Sequence, residues 1–266
     1  MKAQKAYSRS DVVAVLACVA FLLINLGAIG NVGRSRAKEA VCKANLHKWS
    51  LVFSQYAADY EGYNPYGGWA SSWWEFMLPY VEPNEAGRNL FLCPTAVKKR
   101  QDGGVQPFMA FDYGTAPQRY GGGRYVGSYG VNPWIFSRTD VVAGGMFGGT
   151  FNPAQWRWRR CNVAGAENVP VFGDCVGPGA GGRENDPPPS SRDSESKRLG
   201  GDRWGIGAWC VDRHDCAMNM LYMDWSVRRT NLKCLWKLKW HREFNTANSG
   251  PSNAWPEWMS DCPGCD

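Results

Sequence analysis

The residues best suited to chemistry lie near the C-terminal end, where Arg213-His214 is followed after nine residues by Asp224, in RHDCAMNMLYMDWSVRR. Asp174 closes an apolar run, Val169 to Asp174, and is a third group of the same kind. An imidazole and carboxylates that meet at strand ends can move a proton or hold a metal ion. The favoured reading is structural: His214 and Asp224 hold a turn between the last strands by hydrogen bonds, as Asp does readily in loops. The chain has no nucleophile elbow, no phosphate-binding Gly-Lys-Ser/Thr and no His-Glu-x-x-His. It is therefore not read as an enzyme.

The ten cysteines are the other reactive set. Cys18 lies in an apolar run, which leaves nine, so at least one is free or pairs between chains. Export would favour disulfides, and Cys262-Pro-Gly-Cys265 reads as the closure of a terminal loop. For zinc, the only nearby candidates are Cys210 and Cys216 with His214, and a structural disulfide is the stronger reading. No metal or cofactor is assigned.

The elements that must carry these groups are a helix and a sheet. Cys42, Leu46, Trp49, Phe53, Tyr56 and Tyr60 recur at steps of four and three, the spacing of one helix face. Gly62 and Pro65 end it. Upstream, Val12 to Ile29 is apolar but for Asn25 and Gly27, close to the ~20 residues that span a bilayer. Lys2 and Lys5 precede it, which predicts a cytoplasmic N-terminus and an outward head. The mean hydropathy of -0.42 fits one span and a polar remainder. A cleaved secretory signal is the alternative, but Asn31 onward continues directly into helical pattern. A single helix from about Val12 to Tyr60 would be roughly 70 Å long, with Gly27, Gly30 and Gly33 as a soft point.

Val169 to Asp174 and Met218 to Val227 read as short strands, the latter covered on both faces. The fold expected is α+β, a long N-terminal helix, half transmembrane and half amphipathic, packed on an antiparallel-sheet head. The divisions are a leader at 1–6, a helix at 7–61 with its span at about 11–30, a head at 62–242 and a tail at 243–266. Within the head, about 177–203 is polar and rich in Pro and Gly, and is expected to be a disordered surface loop. Of the 14 Trp, those at 156, 158, 255 and 258 lie in polar segments. They would be core, a sugar- or partner-binding surface, or interfacial anchors. The net charge of +6 gathers in Arg228 to Arg242, read as a solvated face, and no nucleic-acid partner is expected for an exported head.

Several ordered segments then resemble type II secretion pseudopilin-like proteins of planctomycete-type bacteria, relatives of type IV prepilins. They are CKANLHKWSLVFSQYAADYEGYNP (from Cys42), Trp73-Trp74, Leu78-Pro79-Tyr80, Phe91-Leu92-Cys93-Pro94, Gly127 to Asn132, Val169 to Asp174, and His214 with Asp224. Trp225 stands where that family has Gly after the Asp. The N-terminus resembles a degenerate prepilin leader, with Ala6 for the usual Gly, then Tyr7, Ser8 and Asp11. The resemblance implies cleavage between Ala6 and Tyr7 by a prepilin peptidase, with Asp11 pairing a neighbouring subunit's terminal amine. It implies a single-pass inner-membrane subunit with a periplasmic or extracellular head, assembling with other pseudopilin subunits into a filament. It also implies a Cys42–Cys93 bridge between helix and head, and calcium by family analogy only. The alternative is an uncleaved, anchored envelope protein whose aromatic head binds a polysaccharide or protein.

Overall fold

Ser8 and Asp11 start the first helix by capping each other: the Asp11 amide donates to Ser8 Oγ at 3.2 Å and the Ser8 amide to Asp11 Oδ2 at 2.9 Å. That helix, α1 (Arg9–Asp59), ends as Glu61 and Gly62 turn left-handed, with φ of 52° and 80°. The structure is a computed structural model describing residues 8–66, 73–99, 106–137, 153–195, 203–251 and 254–265, apart from the side chains of 22–29 and 153–154. Ala6 and Tyr7 lie outside the described residues. The chain divides into two compact units, Met1–Lys38 and Glu39–Asp266, and α1 supplies residues to both.

In the first unit the expected transmembrane half is overturned. Among the described residues no helix is long and apolar enough to cross a membrane. From Asn31 the helix turns polar, and Arg34 folds back on the Gly30 carbonyl at 3.2 Å. The single-pass inner-membrane placement, with its cytoplasmic N-terminus, rested on that span and falls with it.

In the second unit the helical seam is the organising feature. Cys42, Leu46, Trp49, Phe53 and Tyr56 are buried, whereas Tyr60 is 52% exposed and stacks on Tyr56. Their partners are α2 (Trp73–Met77), the loop after α3 (Glu85–Asn89) and a sheet. The Trp49 ring meets Phe91 at 4.8 Å and Phe172 at 5.0 Å, and Trp73 meets Phe172 at 4.9 Å. Each such ring contributes about 1.5–3 kcal/mol by leaving water.

A two-stranded ribbon, β1 (Phe111–Thr115) with β2 (Arg124–Gly127), flanks a four-stranded antiparallel sheet. The sheet order follows the chain: β3 (Tyr129–Val131), β4 (Pro170–Asp174), β5 (Ala217–Tyr222) and β6 (Val227–Asn231). Every residue of β4 and β5 is buried, because both faces are covered. Leu221 packs toward α1. Met218, Met220 and Tyr222 pack into a second core with Leu232, Trp236, Trp240, Phe244 and Met259.

Three expectations for this unit change. The run 218–227 is not one strand. It is a hairpin, because Trp225 N donates to Tyr222 O and Tyr222 N to Ser226 O, each at 2.9 Å, closing a three-residue loop. The segment 177–195 is packed rather than disordered: Pro178 O accepts Val131 N at 3.1 Å, and Asp186 is 2% exposed. Gly182 allows this, since a Cβ there would lie 2.7 Å from the Trp240 ring. The rest of the expected loop, 196–202, lies outside the described residues. The 243–266 tail belongs to the second core through Phe244, Met259 and Cys262.

Candidate functional site

Four segments converge on one buried point. Cys42 projects from the seam of α1. Cys93 follows the Leu90–Leu92 turn, fixed by its amide to Ser128 Oγ at 2.7 Å. Asp174 ends β4. His214 precedes a tight turn in which Asp215 and Cys216 both take left-handed backbone, φ 58° and 55°. That turn is held by His214 N to Ala217 O at 3.1 Å and by Cys216 N to Asp212 Oδ1 at 2.6 Å. Arg229 adds a bond to the His214 carbonyl at 3.0 Å.

The ligand-capable atoms of these four side chains all lie within 4.8 Å of one another. His214 Nε2 is 3.2 Å from Asp174 Oδ2, Cys93 Sγ is 3.6 Å from His214 Nε2, and Cys42 Sγ is 3.6 Å from Asp174 Oδ2. Around them stand Tyr129, whose hydroxyl donates to Cys42 Sγ at 3.3 Å, and Arg213, whose Nη1 donates to Asp174 Oδ1 at 3.0 Å. Arg213 also donates to the carbonyls of Pro107 at 2.6 Å and Cys175 at 3.0 Å, and to that of Ser128. All four converging residues are at most 2% exposed. The Nδ1 of His214 and the side-chain amide of Asn219 are buried without a hydrogen-bond partner among the described residues.

Charge is concentrated here. Burial would raise the Asp174 carboxyl, but the His214 hydrogen bond and the charges of His214 and Arg213 hold it well below the carboxylate range. Burial would lower the His214 imidazole, yet Asp174 and Cys93 lift it to about 10. Desolvation pushes the Cys42 thiol well up; it would raise Cys93 as well, but the Cys42 and His214 hydrogen bonds and the Arg213 charge draw that thiol down to about 7.

Of the residues singled out in the sequence, the structure brings some together and keeps others apart. Asp174 and His214 meet, but Asp224 does not join them. It sits in the β5–β6 loop, where its Oδ1 accepts from Ser226 N at 3.0 Å and Ser226 Oγ at 2.6 Å. Trp225 follows with φ 66°, the left-handed position that closes such a loop. Asp224-Trp225 is thus turn chemistry, with Trp at a left-handed position that favours glycine. Asp11 is an exposed helix cap, its carboxyl lowered by the Ser8 hydrogen bonds.

The cysteine pairing also differs. Cys262 does not bridge Cys265; the disulfides are Cys216–Cys262 and Cys234–Cys265. Cys42 and Cys93 are neighbours but both are free thiols. Cys216 is lost to any metal, and Cys210 is buried against the Met259 sulfur at 4.0 Å. The convergence of Cys42 and Cys93 on His214 was missed, although Cys42 was paired with Cys93 and His214 was grouped with Asp174. Arg213 was quoted only as part of its run, with nothing to mark it as buried. Among the described tryptophans only Trp204 is exposed, at 36%, while Trp156, Trp158, Trp255 and Trp258 are partly buried against the two cores. No family model, curated protein or solved structure matches this chain.

Proposed function

We infer that the chain is a structural, pilin-like subunit that assembles with copies of itself through its N-terminal helix. The observation that carries this reading is the apolar surface of α1. Val12, Val13, Val15, Leu16 and Val19 are 45–65% exposed. At 100° per residue they fall in an arc roughly 160° wide that also holds Ala20, while Ala14, Ala17, Cys18 and Phe21 lie on the rest of the turn. Branched side chains gathered on one side give like helices a continuous apolar face to pack on. A helix apolar all round is stable only when covered, and a bundle of copies covers it without a lipid phase.

The ordered segments shared in kind with pseudopilin-like proteins support the same reading. Most of them, from Cys42 through Phe91-Leu92-Cys93 to Val169–Asp174, line the core around α1. Among the described residues, the group of acid-base side chains that converges, Cys42, Cys93, Asp174 and His214, is at most 2% exposed, which favours a structural over an enzymatic reading. Processing by a prepilin peptidase belongs to the same proposal.

The test is sedimentation velocity and electron microscopy of the full chain beside a Val15→Lys/Val19→Lys variant. Assemblies from the parent chain, lost in a variant whose thermal unfolding is unchanged, are expected. A parent chain that stays monomeric at high concentration overturns the reading.

A further inference from the structure

We propose that Cys42, Cys93, Asp174 and His214 form a closed tetrahedral site for one divalent metal ion, zinc by the best fit. The inference goes beyond assembly and holds whatever the N-terminal helix packs against.

Geometry carries it. A tetrahedral ion with zinc-like bonds to sulfur, nitrogen and oxygen sets its ligands about 3.6 Å apart for sulfur with nitrogen or oxygen, and about 3.3–3.4 Å apart for nitrogen with oxygen. The distances here are 3.6 Å for Cys93 to His214, 3.6 Å for Cys42 to Asp174 and 3.2 Å for His214 to Asp174. These are three of the tetrahedron's six edges, and the other three pairs lie within 4.8 Å, so the four ligand atoms gather about one point. The point between them lies inside the protein, with every ligand supplied by the chain, as in structural rather than catalytic zinc sites.

The charge closes too. Two thiolates and one carboxylate carry three negative charges, and Arg213, always protonated, carries one positive. A divalent ion brings the buried sum to zero, which neither a monovalent nor a trivalent ion does. Two sulfurs, an imidazole and a carboxylate in a tetrahedron suit zinc better than the oxygen-seeking magnesium or calcium. The supporting groups are arranged for ligands: Tyr129 donates to Cys42 Sγ, Arg213 takes Oδ1 of Asp174, and the Asn219 backbone amide donates to Oδ2 at 3.0 Å, orienting that oxygen beside His214 and Cys42. A Cys42–Cys93 disulfide would use the two sulfurs alone and give no reason for Asp174 and His214 to converge on them.

The ligands come from a helix, a loop, a strand end and a pre-strand turn, so the ion would fasten α1 to the sheet. The experiment is metal analysis of the full chain purified under reducing conditions, then replacement of the metal by Co2+. One zinc per chain is expected. The Co2+ form should show strong visible d–d absorption of a tetrahedral ion and thiolate charge transfer in the near ultraviolet. Tyr129→Phe should weaken metal affinity by roughly 10–100-fold, and Cys93→Ser should abolish the charge-transfer pattern or reduce it. Cys210→Ser, outside the cluster, should leave the spectrum unchanged. Co2+ that remains octahedral, or a Cys42–Cys93 disulfide in the natively produced protein, overturns the site. Should Cys93→Ser fail to fold, the spectrum of the parent chain decides alone.

Discussion

Nε2 of His214 lies 3.2 Å from Oδ2 of Asp174, a residue forty positions earlier in the chain at the end of β4, whereas the Asp that its spacing singles out lies in the β5–β6 loop. The two aspartates therefore differ in what they hold. Asp174→Asn leaves the fully buried Arg213 guanidinium without its carboxylate, at a cost of about 3–5 kcal/mol. Asp224→Ala loses only two exposed loop hydrogen bonds, worth about 1 kcal/mol. Urea unfolding of both variants checks the order; equal losses would refute it.

Trp225 provides a cleaner test of backbone. Its φ of 66° is costly for any residue with a Cβ. Trp225→Ala and Trp225→Gly both delete the ring, so their difference isolates the backbone. The glycine variant should be the more stable of the two by about 1 kcal/mol, read from denaturant midpoints.

Arg203 is wholly buried and donates to carbonyls of Ser191 at 3.1 Å, Arg192 at 2.7 Å, Ser194 at 3.2 Å and Cys210 at 2.6 Å. Lysine has fewer donors and no planar fork. Arg203→Lys should cost roughly 2–4 kcal/mol and raise amide exchange across 186–195 and 203–212 before the sheet opens. Exchange rising uniformly through the domain would refute this local role.

Two buried groups should oppose each other in acid. Burial pushes the Asp186 carboxyl up to about 6, even against the Ile206 and Arg183 amides that hydrogen-bond it. Its protonated form is favoured in the fold, so its contribution is present at low pH and is lost as pH rises from about 3.9 through 6. Burial, helped by the charges of Lys239 and Arg183, holds the His241 imidazole down to about 3. Its neutral form is favoured, so its contribution is present above about 6.5 and is lost as pH falls toward 3. Between pH 6.5 and 4.5, Asp186→Asn should therefore lose stability faster than the parent, and His241→Gln more slowly. Parallel unfolding curves for the three proteins would count against both assignments.

The sequence made the helix seam legible because six side chains at steps of four and three have one physical meaning, and all but Tyr60 at its end are buried. β4 was legible for a similar reason, an apolar run ended by Asp174. The β5–β6 hairpin was legible only in part: Asp224 marked a turn between the last strands, but Met223 and Trp225, where Gly or Asn would have announced it, let 218–227 also read as one strand. The segment 177–195 looked unstructured by composition. Its order comes from Asp186, Gly182 and the backbone of Pro178 meeting partners far along the chain. The cluster was half visible: Cys42, Cys93, Asp174 and His214 each stood out. Only the sheet register and the docking of α1 show that they are one group, and no local spacing encodes that.

The paired disulfides have a consequence for the end of the chain. Cys262 and Cys265 are tied to Cys216 and Cys234, on either side of the β5–β6 hairpin. The stretch between them and the sheet includes exposed backbone positions around Asn245, Ala247 and Asn248. A protease cutting there would release nothing, since both fragments remain covalently joined. The nick would pass unseen on a non-reducing gel and emerge only when a reductant separates the pieces.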